Sequence, residues 1–188
     1  MKFTTILACC FSTVFMLMVL SGCTESKPEL PDSQDVGNRK SPIAISSVKY
    51  QGAYIKVVYG QPYKAGRVIF GDLEPYGEVW RTGANEATEI TITDTVLMGT
   101  EAIHPGTYSL FTIPNPDSWT VILNRDLGQW GAFNYNANRD YKRIEFPVQP
   151  LESPVEAFTI QFSELNINTT VMSLKWDVMQ IEIPIRFY

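Results

Sequence analysis

Between Trp80 and Thr88 the chain reads Trp-Arg-Thr-Gly-Ala-Asn-Glu-Ala-Thr. Arg81 is a permanent cation whose planar fork grips oxyanions through paired hydrogen bonds. Asn85 offers both a donor and an acceptor, and Glu86 a carboxylate. Gly83 is expected to allow a sharp turn among them. Such a loop suits an anionic or hydroxylated ligand held by Arg81. The same residues also suit an internal arrangement, with Arg81 paired to Glu86, Asn85 satisfying a turn and Trp80 closing one end of a core.

A second concentration runs from Asn124 to Tyr141. Aromatic rings (Trp130, Phe133, Tyr135, Tyr141) alternate with amides (Asn124, Gln129, Asn134, Asn136, Asn138). Rings stack on the apolar face of a pyranose and amides bond its hydroxyls, so a sugar is one ligand this composition fits. The alternative is a long loop that docks its rings on a sheet and spends its asparagines on turns. A catalytic arrangement can also be written. Glu86 would act as general acid or base and Arg81 would stabilise developing charge. It needs a second carboxylate from Glu78, Glu89 or Asp126, at a separation of roughly 5–10 Å for glycoside chemistry.

Several chemistries are disfavoured. His104 is the single histidine, and a Ser-His-Asp arrangement needs one. It precedes Pro105-Gly106, predicted to centre a type II turn, where an exposed hairpin residue is expected. One histidine falls short of the usual zinc ligand set. No calcium-loop spacing and no phosphate-cradling glycine loop is present, so no metal, cofactor or nucleotide is expected.

These groups have to be positioned by strands. Apolar residues alternate at Ile55-Val57-Tyr59, Ile90-Ile92, Phe158-Ile160-Phe162, Met172-Leu174-Trp176 and Ile181-Ile183-Ile185-Phe187. That period of two predicts half-buried strands. Turn signals separate them at Pro114-Asn115-Pro116-Asp117 and Asn166 to Asn168. Pro184 is expected on an edge, because it donates no ladder hydrogen bond. No helical stripe is sustained. The expected fold is all-β, a single antiparallel β-sandwich of about eight to ten strands, with a jelly-roll-like topology among the options. Asp94-Thr95-Val96 fits both a plain turn and a short acceptor for O-linked glycan.

The N-terminus carries an address. Lys2 precedes an apolar run from Ile6 to Leu20, about 15 residues against the ~20 needed to span a bilayer. It ends in Leu20-Ser21-Gly22-Cys23, which resembles the bacterial lipobox. Residues 1–22 are expected to be a removed signal peptide and Cys23 to carry lipid, palmitate-type chains included. More than one acyl chain makes such an anchor stable. Thr24 after the cysteine favours the outer membrane over the inner, facing the periplasm or the surface. Cys9 and Cys10 leave with the signal and Cys23 is lipidated, so no thiol remains. Residues 24–41 are polar, with Pro28, Pro31 and Gly37, and read as a disordered tether reaching on the order of 25 Å. Residues 42–188 form one domain. Loss of the signal removes only Lys2 from the charged set and leaves 20 acidic against 14 basic residues. That balance disfavours nucleic acid.

Three stretches bear a family likeness. They are Pro75-Tyr76-Gly77-Glu78-Val79-Trp80-Arg81-Thr82-Gly83-Ala84-Asn85-Glu86-Ala87-Thr88, then Pro105-Gly106-Thr107-Tyr108-Ser109-Leu110-Phe111-Thr112-Ile113-Pro114, then Trp119-Thr120-Val121-Ile122-Leu123-Asn124 with Gln129-Trp130-Gly131. Together they resemble the domain-of-unknown-function family 2911, widespread in Bacteroidota and often exported. The resemblance implies no established activity and no catalytic residues. The candidate binding set is Trp80, Arg81, Asn85, Glu86, Tyr108 and Trp130. The leading expectation is a non-catalytic envelope domain that binds a small ligand, a glycan or an envelope protein. A carboxylate-dependent periplasmic hydrolase and a structural envelope protein are the alternatives.

Overall fold

An extended segment needs partners for its backbone N–H and C=O groups, and an apolar strand face needs a layer to cover it. In the structure, a computed structural model that describes residues 39–188, one antiparallel sheet of nine strands meets both needs by folding over on itself. The strands are β1 (Ile43–Tyr50), β2 (Ala53–Gly60), β3 (Thr88–Ile92), β4 (Val96–Met98), β5 (Glu101–Ile103), β6 (Gly106–Pro114), β7 (Ser118–Asn124), β8 (Asp140–Phe162) and β9 (Thr169–Phe187). Their spatial order is β1-β2-β3-β6-β7-β8-β9-β4-β5. This is a meander with the β4–β5 hairpin displaced beside β9; the strand alternation of a jelly roll is not adopted. The described residues hold no α-helix, only a 3-10 turn at Ala137–Arg139. The expected signal segment, Cys23 and most of the expected tether lie outside the described residues.

β8 shows how a single sheet makes a sandwich. Its 23 residues would extend about 75 Å if straight, far beyond the dimensions of a domain with a radius of gyration near ~15 Å. It bends instead, pairing with β7 from Asp140 to Pro147 and with β9 from Val148 to Phe162. Register breaks between Pro150 and Thr159 mark the bend. The two halves then face each other. Tyr59 packs edge-on against Phe158 at 5.6 Å, and Tyr50 lies 5.5 Å from Phe187. Ile160 N–H donates to the Tyr59 hydroxyl at 3.1 Å across the core.

Inward side chains of β2, β3, β6, β7, β8, β9 and β4 form one buried cluster. The two alternations at Met172–Trp176 and Ile181–Phe187 are not separate strands. They are halves of β9, joined through Asp177 at φ 51°. Pro184 lies past Ile181, the last residue paired with β8, and opposite Gly99 at the β4–β5 turn, whose N–H donates to its carbonyl. Gly106 has no positive φ and opens β6, so the expected type II turn is not formed. A side chain there would come within 3.1 Å of the Tyr108 ring, which explains the glycine by packing.

Two connections break the meander. Residues 61–87 join β2 to β3 and cap one end of the core with Ile69, Phe70 and Trp80. Residues 125–139 join β7 to β8 and cover the sheet's outer face. There Ala132 and Tyr135 pack on Ala87, Phe111 and Ile122, a second small core.

Candidate functional site

The 81–87 loop is an excursion from the line of β3. Thr88 pairs with Leu110 of β6, and Trp80 exchanges two backbone hydrogen bonds with Thr112 of the same strand. Trp80 thus continues the line that β3 begins, and the residues between are looped out. Thr88 closes the base, donating its N–H to Arg81 O and its hydroxyl to Thr82 O. Ala84 N–H donates to Gly60 O of β2, while Gly131 N–H and Ala87 N–H tie the far side to the 125–139 segment. Thr82 and Asn85 take the positive φ angles, 54° and 64°, and Gly83 does not. The sharp-turn role expected of Gly83 is therefore corrected. Its missing side chain serves close approach, because a Cβ would lie 2.9 Å from Gly60 O.

Held on three sides, the loop presents Arg81 and Asn85 to a cavity of about 470 Å³. Lys40, Ser41, Tyr63, Arg67 and Glu74 add to its polar lining. Arg67 is fixed by donating to the backbone carbonyls of Lys64 and Tyr63. Arg81 Nε is buried and makes no hydrogen bond, and Arg81 enters no ion pair among the described residues. Three cations therefore face one carboxyl inside a chain whose net charge is −5. A concave site lined with one sign of charge concentrates ions of the other.

Glu74 is the cavity's titrating group. Burial pushes its carboxyl up to about 7, against the pull of Arg81 and then Arg67. From an ordinary value of 4.5, the unfolded chain loses this proton while the folded chain keeps it, so stability falls as pH rises between those values. Glu74→Gln is expected to be near neutral at about pH 4 and to stabilise by about 1–3 kcal/mol at about pH 8. Urea titrations of both proteins at the two pH values measure it; an equal effect at both would contradict the assignment.

Glu86 and Trp130 lie on the other side of the loop. With Glu89, Ile43 and Val58 they line a separate cleft of about 280 Å³. Glu86 does not pair with Arg81, as the internal arrangement required, but with Arg39. Burial acts to raise its carboxyl, yet the hydrogen bond and charge of Arg39 outweigh it and hold the group below the ordinary value. Glu89 Oε1 accepts from Gly128 N–H at 2.9 Å. Of the other expected acids, Asp126 pairs with Arg139 and Glu78 is exposed.

The remaining candidates divide between packing and surface. Trp80 is 3% exposed, stacked on Trp176 at 5.7 Å. Tyr108 is buried against Tyr141, ring on ring at 5.0 Å, and its hydroxyl donates to His104 O. His104 is exposed. In the 124–141 region, Asn124 donates to Asn136 O and Asp140, and Asp140 also receives Tyr135 and Arg143. Those amides and rings hold the loop down, whereas Trp130 and Phe133 stand 52% and 83% exposed. Asp94 accepts from Thr95 N–H in a local turn. Sequence reasoning missed Lys40, Tyr63, Arg67 and Glu74. The signal for the last three was the unusually long, non-alternating connection after β2, the kind of segment that often carries function.

No curated protein and no solved structure matches the chain. The model of the family described as "Protein of unknown function (DUF2911)" matches residues 41–185, which takes in the 81–87 loop and, apart from Lys40, the lining of both clefts beside it. The chain therefore belongs to the DUF2911 family of proteins of unknown function.

Proposed function

We propose that this domain is a non-catalytic binding module whose site is the cavity beside the 81–87 loop, and that Arg81 holds a small anionic ligand there. The observation that carries the reading is Arg81, which lines the cavity with two further cations and enters no ion pair among the described residues. An oxyanion in the cavity supplies a counter-charge for the Arg81 guanidinium, and Arg67 and Lys40 add charge. Lipid on Cys23 and the tether would display the domain at a bacterial envelope membrane, where acidic sugars and small carboxylates are natural candidates. Carboxylate hydrolysis would instead draw on Glu86 and Glu89 in the neighbouring cleft. There Glu86 is held ionised, which suits a base and leaves the acid to be supplied.

Thermal unfolding with glucuronate, citrate or sulfate, against neutral glucose, tests the proposal. At about ten times Kd, a bound anion is expected to raise Tm by roughly 3–5 °C while glucose does nothing. Arg81→Ala and Arg81→Lys are expected to weaken the anion about 10- to 100-fold, because charged hydrogen bonds contribute about 1.5–3 kcal/mol. No shift with any anion at millimolar concentration, or an undiminished shift in Arg81→Ala, overturns it.

A further inference from the structure

Resting on that reading, we infer that the anion binds together with one proton, which Glu74 takes up to become a hydrogen-bond donor to the bound oxyanion. The geometry is the starting point. Glu74 and Arg81 line the same cavity, and the charge of Arg81 acts on Glu74, yet no ion pair joins them. The cavity of about 470 Å³ that both line has room for a third group. An oxyanion seated on the Arg81 fork comes to lie beside the Glu74 carboxyl.

Two ionised oxyanions at close quarters repel, and one of them takes a proton. A protonated Glu74 converts that repulsion into an O–H···O⁻ hydrogen bond, the short and strong kind at roughly 2.5–2.7 Å. The proton comes from solvent and stays on a Glu74 oxygen; no other bond changes. The free carboxyl already stands near 7 through burial, so taking the proton requires little work at neutral pH. The anion also neutralises Arg81, one of the two cations that hold Glu74 ionised. The other charged or titratable side chains facing the cavity are Lys40, Arg67, Arg81 and the Tyr63 phenol. Glu86 is committed to Arg39 on the far side of the loop. Glu74 is thus the carboxyl placed to couple the two events.

The ligand class narrows accordingly. It is an oxyanion that stays ionised at neutral pH and accepts a hydrogen bond as well as a guanidinium, such as the carboxylate of an acidic sugar. Affinity should be highest in mild acid and fall up to tenfold per pH unit above about 7, where each binding event has to draw its proton from solvent.

Calorimetry of the full chain with glucuronate and with sulfate, in Tris and in HEPES, reads proton uptake from the dependence of the measured heat on buffer. Uptake is expected to approach one proton per anion at about pH 8 and to be about half at pH 7. In Glu74→Gln, uptake should vanish and affinity should lose its pH dependence. Binding without uptake at pH 8, or uptake that survives in Glu74→Gln, overturns the proton coupling and leaves the anion site standing. No binding of either anion overturns the site itself. Should the variant fail to fold, the wild-type uptake across pH alone decides.

Discussion

Replacing Trp80 with alanine is expected to remove about 4 kcal/mol of stability, a large fraction of what a domain this size possesses. Trp80 is 3% exposed and sits where Phe70, Trp119, Phe158 and Trp176 meet. Truncation leaves a cavity among rings contributed by different elements, which cannot all close on it. It also removes the indole N–H that donates to Gly83 O at 3.1 Å, leaving a buried carbonyl in the loop unsatisfied. The measurement is urea unfolding followed by circular dichroism. A loss below about 1.5 kcal/mol would mean that the rings repack and that Trp80 does not anchor the loop.

The second large effect is expected at Gly60. A Cβ there would stand 2.0 Å from Ala84 O and 2.9 Å from Ala84 C. The obstruction is backbone, and it is pinned, because Ala84 N–H donates to Gly60 O and the next residue accepts from Gly131. Gly60→Ala therefore displaces the loop that carries Arg81 and Asn85. The expected cost is about 3 kcal/mol in stability, with anion affinity reduced more than about tenfold by misplacement of the guanidinium. Gly52→Ala is the control, since a Cβ there meets nothing within 4 Å. It should change stability by less than about 0.5 kcal/mol. If Gly60→Ala behaves like Gly52→Ala, the loop is not braced on β2.

The strands that were legible in the sequence have one wet face. β2, β3 and both halves of β9 alternate because their inner residues meet the core while at least part of the outer face meets solvent. β6 and β7 are different. From Tyr108 to Thr112 and from Val121 to Asn124 every residue is buried. Their outer face is covered by the 125–139 connection and their inner face by the core. A strand covered on both sides loses its period of two, so these two were visible only as family-like stretches. The length of β8 and β9 was hidden for another reason. Pro147, Pro150 and Pro154 in β8 and Asp177 in β9 interrupt the alternation, but the chain passes through them as continuous strands.

The site was half legible. Arg81 and Asn85 stood out by type and spacing, and they do share one cavity. Glu86 is their near neighbour in sequence yet faces another cleft, because the loop edge falls between residues 85 and 86. Glu74 carries no local mark. Its shifted protonation arises from burial within the 61–87 connection, which is tied down at Trp80 to Thr112 and at Ala84 to Gly60. No short window of sequence contains both ties.

The doubled-over sheet also sets a timetable. Its closing contacts join residues far apart along the chain: Tyr59 to Ile160, separated by 101 positions, and Lys64 to Asp177, separated by 113. Contacts of that range close slowly, and all-β domains built on them fold in about milliseconds to seconds. Throughout that interval the apolar faces of β2 and β3 exist without the strands that will cover them. For a newly made chain, those moments are when it is most exposed to sticking and proteolysis. The bend that makes a sandwich from one sheet therefore makes the newly made chain a client for whatever holds unfolded proteins around it.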